Sequence, residues 1–192
     1  MIAIIKYNAG NTGYLYNAVK RLGYDCIITD DKAQIQNAEK VLFPGVGEAV
    51  SAMQYLRERE LDKVIINLKQ PVLGICLGLQ LMCNTSAEGG TQCMGIFDIP
   101  VHKFPSLDIV PHMGWNDCTL LHGSLFNGIK TTDDLYFVHS YYAALSEFTV
   151  AQCNYILPFS AALQKNNFYA VQFHTEKSGT TGQQILRNFL SL

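Results

Sequence analysis

Apolar runs alternate with amphipathic segments through the first half of the chain. The runs with the length of buried strands are residues 2–6, 24–29, 40–43 and 71–76. The segments with apolar residues at helical spacing are residues 12–22, 47–60 and 77–83. Such alternation of strands and helices predicts a parallel sheet with helices on both of its faces.

The second half is richer in strand patterns. The predicted strands are residues 134–139, 148–153, 160–165 and 168–174. Asn166 and Asn167 separate the last two, and they suit a two-residue hairpin turn because Asn tolerates a positive φ. Residues 178–190 have the apolar face of a closing helix. We therefore expect an α/β three-layer sandwich with a mostly parallel sheet and an antiparallel β portion in the C-terminal half, forming one domain over residues 1–192.

Composition narrows the class of protein. The 192 residues are 48% hydrophobic and 16% charged, with a formal net charge of −2. That mixture can bury a sizeable core, which argues against a disordered chain, and the weak charge argues against nucleic-acid or anionic-membrane binding. No apolar run reaches the roughly 18 residues of a membrane span. The start of the chain is typical of a buried strand rather than a signal peptide, so we expect a cytoplasmic protein.

The six cysteines do not form a metal or disulfide pattern. None of them belongs to a Cys-x-x-Cys pair, and the histidines lack the spacing with acids or cysteines that zinc sites have. We therefore predict neither a metal nor an organic cofactor. Most of these thiols are expected to be reduced and to act as small apolar residues.

One cysteine differs from the others. Cys76 lies in Gly74-Ile75-Cys76-Leu77-Gly78, between an apolar strand and the start of a helix. This is the form of a nucleophile elbow with Cys in place of Ser, in which the glycines allow a sharp turn that holds the central side chain outward. A helix N-terminus also favours the reactive thiolate. A buried cysteine in a glycine-containing core turn is the competing interpretation.

A base and an orienting acid for that nucleophile are found far along the chain. His174 and Glu176 follow a strand pattern, and they lie on the same side if the backbone stays extended. A carboxylate beside an imidazole fixes its tautomer and stabilises the imidazolium. By itself this pair is more typical of an ordinary surface His–Glu contact at the end of a strand, and the elbow cysteine about 100 residues earlier is what favours the catalytic interpretation.

A glycine-rich turn supplies candidate backbone donors. Pro44-Gly45-Val46-Gly47 follows a predicted strand and precedes a predicted helix. Backbone N–H groups in such a turn can stabilise the oxyanion of a tetrahedral intermediate, although most turns of this type only connect a strand to a helix. A phosphate loop is disfavoured because no Gly-Lys-Ser/Thr follows.

These three features, in this order, resemble the class I glutamine amidotransferases. The segment Gly74-Ile-Cys-Leu-Gly-Leu-Gln80 is similar to the nucleophile region of that family. The segments Phe43–Gly47, Pro111–Asn116, Tyr136–Tyr141 and Ala170–Ser178 narrow the resemblance to the glutaminase subunits of imidazole glycerol phosphate synthase. The resemblance extends from residue 1 to the last helix.

The resemblance implies a role for individual residues. It implies Cys76 as nucleophile, His174 as base and Glu176 as orienting acid, with glutamine hydrolysed to glutamate and ammonia. The implied oxyanion donors are Val46 or Gly47 together with Leu77. The implied glutamine contacts are Gly45, Gln80, Ser140 and Tyr141. The implied interface residues are Asn11, Trp115, Tyr136 and Lys177, facing a (β/α)8-barrel cyclase subunit of the HisF type that receives the ammonia.

Two departures from the family pattern leave the assignment open. Thr175 stands where the family has Pro between the His and Glu of the triad, and Lys6 stands where its first strand ends in an acid. The following loop, Tyr7-Asn8-Ala9-Gly10-Asn11, keeps only part of the family pattern, which is compatible with a related amidotransferase that supplies ammonia to a sugar-modifying synthase. A stand-alone cysteine hydrolase and a non-catalytic regulatory subunit are two further hypotheses.

Overall fold

The computed structural model describes residues 1–10 and 12–192. Within them the helices are α1 (Thr12–Arg21), α2 (Lys32–Asn37), α3 (Ala49–Glu58), α4 (Leu61–Ile66), α5 (Leu77–Met82) and α6 (Gly179–Leu190). The longer strands are β1 (Ile2–Ile5), β2 (Cys26–Thr29), β3 (Lys40–Gly45), β4 (Val72–Cys76), β7 (Pro100–Lys103), β8 (His112–Asn116), β10 (Leu135–His139), β12 (Thr149–Tyr155), β13 (Leu157–Lys165) and β14 (Phe168–Val171). The short strands are β5 (Thr85–Ser86), β6 (Thr91–Gln92), β9 (Leu120–Leu121) and β11 (Tyr141–Ala143), and the 3₁₀ turns are Glu88–Gly90, Ser124–Phe126 and Thr175–Lys177.

An eight-stranded central sheet organises these elements, with strand order β2-β1-β3-β4-β14-β13-β12-β9. The strands from β2 to β14 are parallel to their neighbours, whereas β13, β12 and β9 extend the sheet in antiparallel fashion. The expected combination of a parallel sheet with an antiparallel C-terminal portion is therefore confirmed.

The central parallel strands β1, β3, β4 and β14 are buried on both faces. Along β1, Ile2 and Ile4 pack into one hydrophobic cluster, while Ala3 and Ile5 pack into the other. Helices α1 and α6 cover the first face, and α2, α3, α4 and α5 cover the second. Continuous burial of this kind explains why the first strands are uniformly apolar rather than alternating with polar residues.

The functional edge of the sheet is set by the pairing of β4 with β14. These neighbours are parallel, with Ile75 opposite Val171. Parallel strands end at the same edge, so the residues that follow Ile75 and Val171 emerge side by side. Cys76 and His174 are therefore brought to one edge from distant parts of the chain.

Two small sheets stand at the same edge. One pairs β10 with β8 and sets Tyr136 opposite Trp115 and His139 opposite His112. The other has the order β11-β7-β5-β6. Among the described residues, no helix combines the length and apolar character needed to cross a bilayer.

Most predicted elements agree with the structure, with two corrections. The predicted helix at 47–60 is shorter, because Glu60 adopts a left-handed conformation between α3 and α4. The predicted strand at 168–174 ends at Val171, and the chain turns into the 3₁₀ turn soon afterwards. The hairpin at residues 166–167 is confirmed, with Asn166 at φ 54° and Lys165 paired to Phe168.

Candidate active site

Cys76 occupies a sharp turn between β4 and α5. Its backbone, at φ 55° and ψ −110°, lies outside the regions that L-residues ordinarily adopt. Two glycines make the turn sterically possible. A Cβ at position 78 would overlap the carbonyl oxygen of Phe43, and one at position 74 would lie 2.5 Å from Sδ of Met82. The elbow is thus strained at the candidate nucleophile and tightly packed on both sides of it.

His174 and Glu176 lie beside the elbow. Nδ1 of His174 is 2.8 Å from Oε1 of Glu176, and the two side chains are 2% and 5% exposed. The extended backbone assumed from sequence is wrong, because residues 175–177 form the 3₁₀ turn. The turn still returns the carboxylate to the imidazole.

Charge at the site favours the imidazolium form of His174. Burial of the ring opposes protonation, but the influences of Cys76 and Glu176 outweigh it and raise the pKa of His174 to about 10. Cys76 lies close enough to raise the pKa of the ring, although Nε2 of His174 has no hydrogen-bond partner of regular geometry among the described residues. A protonated imidazole whose Nε2 is free to donate is suited to give a proton to a leaving group at the cysteine.

Backbone clamps fix the position of the histidine. The N–H of His174 donates to the carbonyl of Tyr136 at 2.9 Å. The hydroxyl of Ser178 accepts from the N–H of Tyr136 at 2.9 Å and donates to the carbonyl of His174 at 2.6 Å. Strand β10 therefore holds both ends of the turn that carries His174 and Glu176.

Cys76 and His174 line one cavity of about 330 Å³. The complete lining is Val46, Gly47, Cys76, Leu77, Gln80, Glu88, Pro111, Val138, His139, Ser140, Tyr141 and His174. It includes Gln80, Ser140 and Tyr141, three of the four residues expected to contact glutamine. Gly45 is instead buried behind the lining, where an added Cβ would meet the Tyr7 hydroxyl and Leu77.

The glycine-rich turn presents its two candidate donors differently. The N–H of Val46 is bonded to the carbonyl of Ala9 at 2.5 Å. Among the described residues, no acceptor bonds the N–H of Gly47, whose φ of 115° is one that glycine adopts readily. In this conformation Gly47 is the less committed of the two donors.

Three of the four expected interface residues, Trp115, Tyr136 and Lys177, lie among the described residues. Trp115 is 56% exposed and makes an edge-on contact with half-buried Tyr136, with ring centroids 5.7 Å apart. Lys177 is exposed on the 3₁₀ turn. Asn11 lies outside the described residues.

Sequence reasoning missed three polar groups at the site. Gln172 is fully buried and donates to Sγ of Cys76 at 3.7 Å. His139 lines the cavity and bonds to His112 at 3.0 Å between ring nitrogens. Glu88 also lines the cavity, and its carboxylate accepts from the N–H of Ala49 at 2.8 Å. Each depends on long-range pairing, so local patterns carried no signal for them.

The described residues contain no cluster of three or more His, Cys, Asp or Glu side chains arranged to hold a metal ion. The site brings together a cysteine, an imidazolium held by a carboxylate, and a nearby backbone N–H. Together these can perform nucleophilic acyl transfer at a small substrate.

Comparisons with known proteins agree with a site for nucleophilic acyl transfer. Residues 3–192 match the family model described as glutamine amidotransferase class-I. The chain is 54% identical to the imidazole glycerol phosphate synthase subunit HisH of Bacteroides fragilis strain YCH46, covering 100% of this chain and 99% of the relative. It is 44% identical to the subunit of that name from Escherichia coli K12, with the same coverage.

Solved structures share the fold at low identity. A structure titled glutamine amidotransferase superposes with a TM-score of 0.76 at 16% identity, covering 100% of this chain and 98% of that one. A glutamine amidotransferase from Thermotoga maritima gives a TM-score of 0.66 at 15% identity, covering 99% and 82%. With the family match over nearly the whole sequence, these likenesses establish that the chain belongs to the class I glutamine amidotransferases.

Proposed function

We propose that this chain is the glutaminase subunit, HisH, of an imidazole glycerol phosphate synthase in histidine biosynthesis. The main structural support is that Cys76 and His174 line one cavity, while Oε1 of Glu176 lies 2.8 Å from Nδ1 of His174. The full-length likeness to subunits of that name supports the pathway. We also propose that residues 1–192 form one amidotransferase domain.

The reaction follows from the three side chains. The Cys76 thiolate attacks the side-chain amide carbon of L-glutamine, forming a C–S bond and a tetrahedral intermediate. As the C–N bond breaks, protonated His174 gives its proton to the departing nitrogen, which leaves as ammonia. His174 then takes a proton from water, which attacks the γ-glutamyl thioester. The products are glutamate, a regenerated thiolate and a reprotonated His174. Glu176 holds the ring without exchanging protons.

The oxyanion of the intermediate needs backbone donors. We assign one to the N–H of Leu77 and the other to the turn at Val46 and Gly47. The bond from Val46 to Ala9 must break before the Val46 N–H can serve, whereas the Gly47 N–H is already uncommitted. One such donor contributes about 3–4 kcal/mol to transition-state stabilisation, so a rearrangement of this turn is a means of controlling turnover.

The remaining lining suits the substrate. Gln80, Ser140 and Tyr141 offer amide, hydroxyl and backbone groups to glutamine. The carboxylate of Glu88 lies where it can attract the α-ammonium group of the amino acid. Gly45 lies behind these residues, and its lack of a side chain lets Tyr7 and Leu77 pack closely against it.

We propose a (β/α)8-barrel cyclase of the HisF type as partner, in a heterodimer. Aromatic side chains concentrate in interface hot spots, and the exposed Trp115 with Tyr136 stands next to the clamp on His174. Asn11 and Lys177 complete the proposed interface. Ammonia passes directly to the partner, which protects it from protonation in bulk water. We propose that the complex acts in the cytoplasm, consistent with six free cysteines.

Replacement of the nucleophile tests the chemistry. Cys76→Ala should abolish glutamate release, while Cys26→Ser, which alters a thiol on β2, should retain it. Both variants should keep the wild-type circular dichroism and thermal midpoint. Ammonia release by folded Cys76→Ala at the wild-type rate would refute the assignment of the nucleophile.

Isolation of the tagged chain from its source organism tests the partner. Recovery of a (β/α)8-barrel cyclase that stimulates glutaminase activity is the expected result. Stimulation by a sugar-modifying synthase and not by the cyclase would place the chain in another pathway. Full activity without any partner would indicate a stand-alone hydrolase.

A further inference from the structure

Gln172 is a buried amide to which the mechanism above gives no task. It follows β14 and has no exposed surface. Its Oε1 accepts from Nε2 of Gln80 at 3.1 Å, and its Nε2 donates to Sγ of Cys76 at 3.7 Å. One side chain therefore joins the candidate nucleophile to a residue of the proposed glutamine cradle.

The orientation of that amide is fixed by its neighbours. Nε2 of Gln80 also donates to the backbone carbonyl of Tyr141 at 3.0 Å. A carbonyl can only accept, so the Gln80 end facing both Tyr141 and Gln172 must be its NH₂ group. The end of Gln172 that meets this NH₂ group must then be its oxygen, which turns its own NH₂ group toward the sulfur.

A pair of histidines provides a second hydrogen bond to the same Tyr141 carbonyl. Nδ1 of His139 donates to the Tyr141 carbonyl at 2.8 Å, which leaves Nε2 of His139 to accept from Nδ1 of His112 at 3.0 Å. Nε2 of His112 in turn faces the amide of Asn116 at 3.3 Å. Burial lowers the pKa of His139 to about 3 and that of His112 to about 4. Both rings are therefore neutral near pH 7. Each ring then has one donor and one acceptor nitrogen, so the donor and acceptor roles from Asn116 to the Tyr141 carbonyl are fixed.

The two contacts of the sulfur favour opposite protonation states. The Val138 carbonyl, 3.9 Å away, can accept only from the neutral thiol. The Gln172 N–H bonds more strongly to a thiolate than to a thiol, because hydrogen bonds to charged acceptors are the stronger ones. The titratable groups around the sulfur include His174, after β14, the buried hydroxyl of Tyr7, after β1, and the Glu88 and His139 side chains that line the same cavity.

We propose that Gln172 is a positioning residue that holds the Cys76 sulfur as a thiolate, its own amide being locked through Gln80 to the Tyr141 carbonyl. The assignment rests on the proposed function, because it requires Cys76 to act as the nucleophile. Loss of the Gln172 N–H should lower the thiolate population and slow the attack on glutamine. Binding of glutamine should change less than the attack, since Gln172 does not line the cavity and reaches it only through Gln80, which keeps its bond to the Tyr141 carbonyl.

Alkylation of the full-length chain measures this directly. The rate at which iodoacetamide modifies Cys76, followed by mass spectrometry of its peptide from pH 5 to 10, reports the thiolate population. In Gln172→Leu the midpoint of this profile should rise by about one pH unit, corresponding to a tenfold loss in the equilibrium. With the partner subunit present, glutaminase kcat should fall about tenfold and KM should change less than about threefold. Gln152→Leu, which removes a glutamine from β12, is the matched control and should leave both unchanged.

A second variant covers the case in which Gln172→Leu does not fold. Gln172→Glu keeps the size of the side chain and an oxygen that accepts from Gln80, but it turns a carboxylate oxygen toward the sulfur. Its alkylation midpoint should rise further, because like charges then face each other. A folded Gln172 variant with the wild-type profile and kcat would overturn the proposal. A wild-type chain whose Cys76 reacts no faster than its five other cysteines would instead overturn the proposed function.

Discussion

The presence of Thr175 where the family has Pro provides a test of the local structure around the site. Thr175 is buried between His174 and Glu176, and its hydroxyl oxygen has no hydrogen-bond partner among the described residues. Its N–H likewise bonds to none of them. His174 is extended, at φ −89° and ψ 106°, and Thr175 begins a 3₁₀ turn. These conditions suit proline, which lacks an N–H and prefers an extended residue before it.

Thr175→Pro should therefore stabilise the protein. Removal of a buried hydroxyl that has no hydrogen-bond partner should raise the free energy of unfolding by about 1 kcal/mol, the lower end of measured values. The reduced freedom of the unfolded chain adds about 0.4–1 kcal/mol. Together these give about 2 kcal/mol. For a chain of this length that corresponds to a rise in Tm of about 4–8 °C.

Differential scanning calorimetry of wild type, Thr175→Pro and Thr175→Val separates the two contributions. Val has nearly the shape of Thr and removes only the hydroxyl, so it should recover about half of the gain. Glutaminase activity should persist in both variants because the His174–Glu176 contact is kept. An unchanged or lower Tm for Thr175→Pro would show that the hydroxyl or N–H of Thr175 has a partner in solution, and the reasoning would fail.

Two other predictions concern the charge on His174 and the packing of the elbow. Because the pKa of His174 is raised, its proton is lost only as pH climbs toward about 10. Glu176→Gln removes a stabilising charge, so the NMR titration of this imidazole and the alkaline decline of glutaminase activity should both move to lower pH; an unmoved titration would contradict the ion pair. Gly78→Ala drives a methyl group into the Phe43 carbonyl, and it should lower the free energy of unfolding by about 1–3 kcal/mol in urea denaturation. Gly13→Ala, on α1 with open space around it, is the control and should raise that free energy by about 0.5 kcal/mol; equal effects of the two changes would refute the packing argument.

Local patterns were sufficient to predict the parallel half of the fold. Strands β1, β3 and β4 are buried on both faces, so they stand out as apolar runs without reference to the rest of the chain. The short strands β5, β6 and β9, of two residues each, have no periodicity to detect. The end of β14 was misjudged because Phe173 continues the apolar pattern after the chain has left the sheet.

In the candidate site, too, features set by neighbouring residues could be predicted, whereas features set by distant segments could not. Cys76 was recognisable because the glycines that permit its turn lie only two residues before and after it in the sequence. The pairing of His112 with His139 depends on the register of β8 with β10, which nothing local specifies. Gln172 looked like one polar residue in an apolar strand, and its contact with the sulfur becomes visible only when β14 lies beside β4.

The placement of β14 next to β4 also bears on how the chain matures during synthesis. Until residues 168–171 emerge and dock, β4 exposes an unpaired edge and Cys76 lacks both His174 and Gln172. Contacts between segments so distant in sequence form late, because a large loop must close first. A nascent or C-terminally shortened polypeptide without these two residues therefore cannot cleave an amide, and glutamine is spared until this segment has docked.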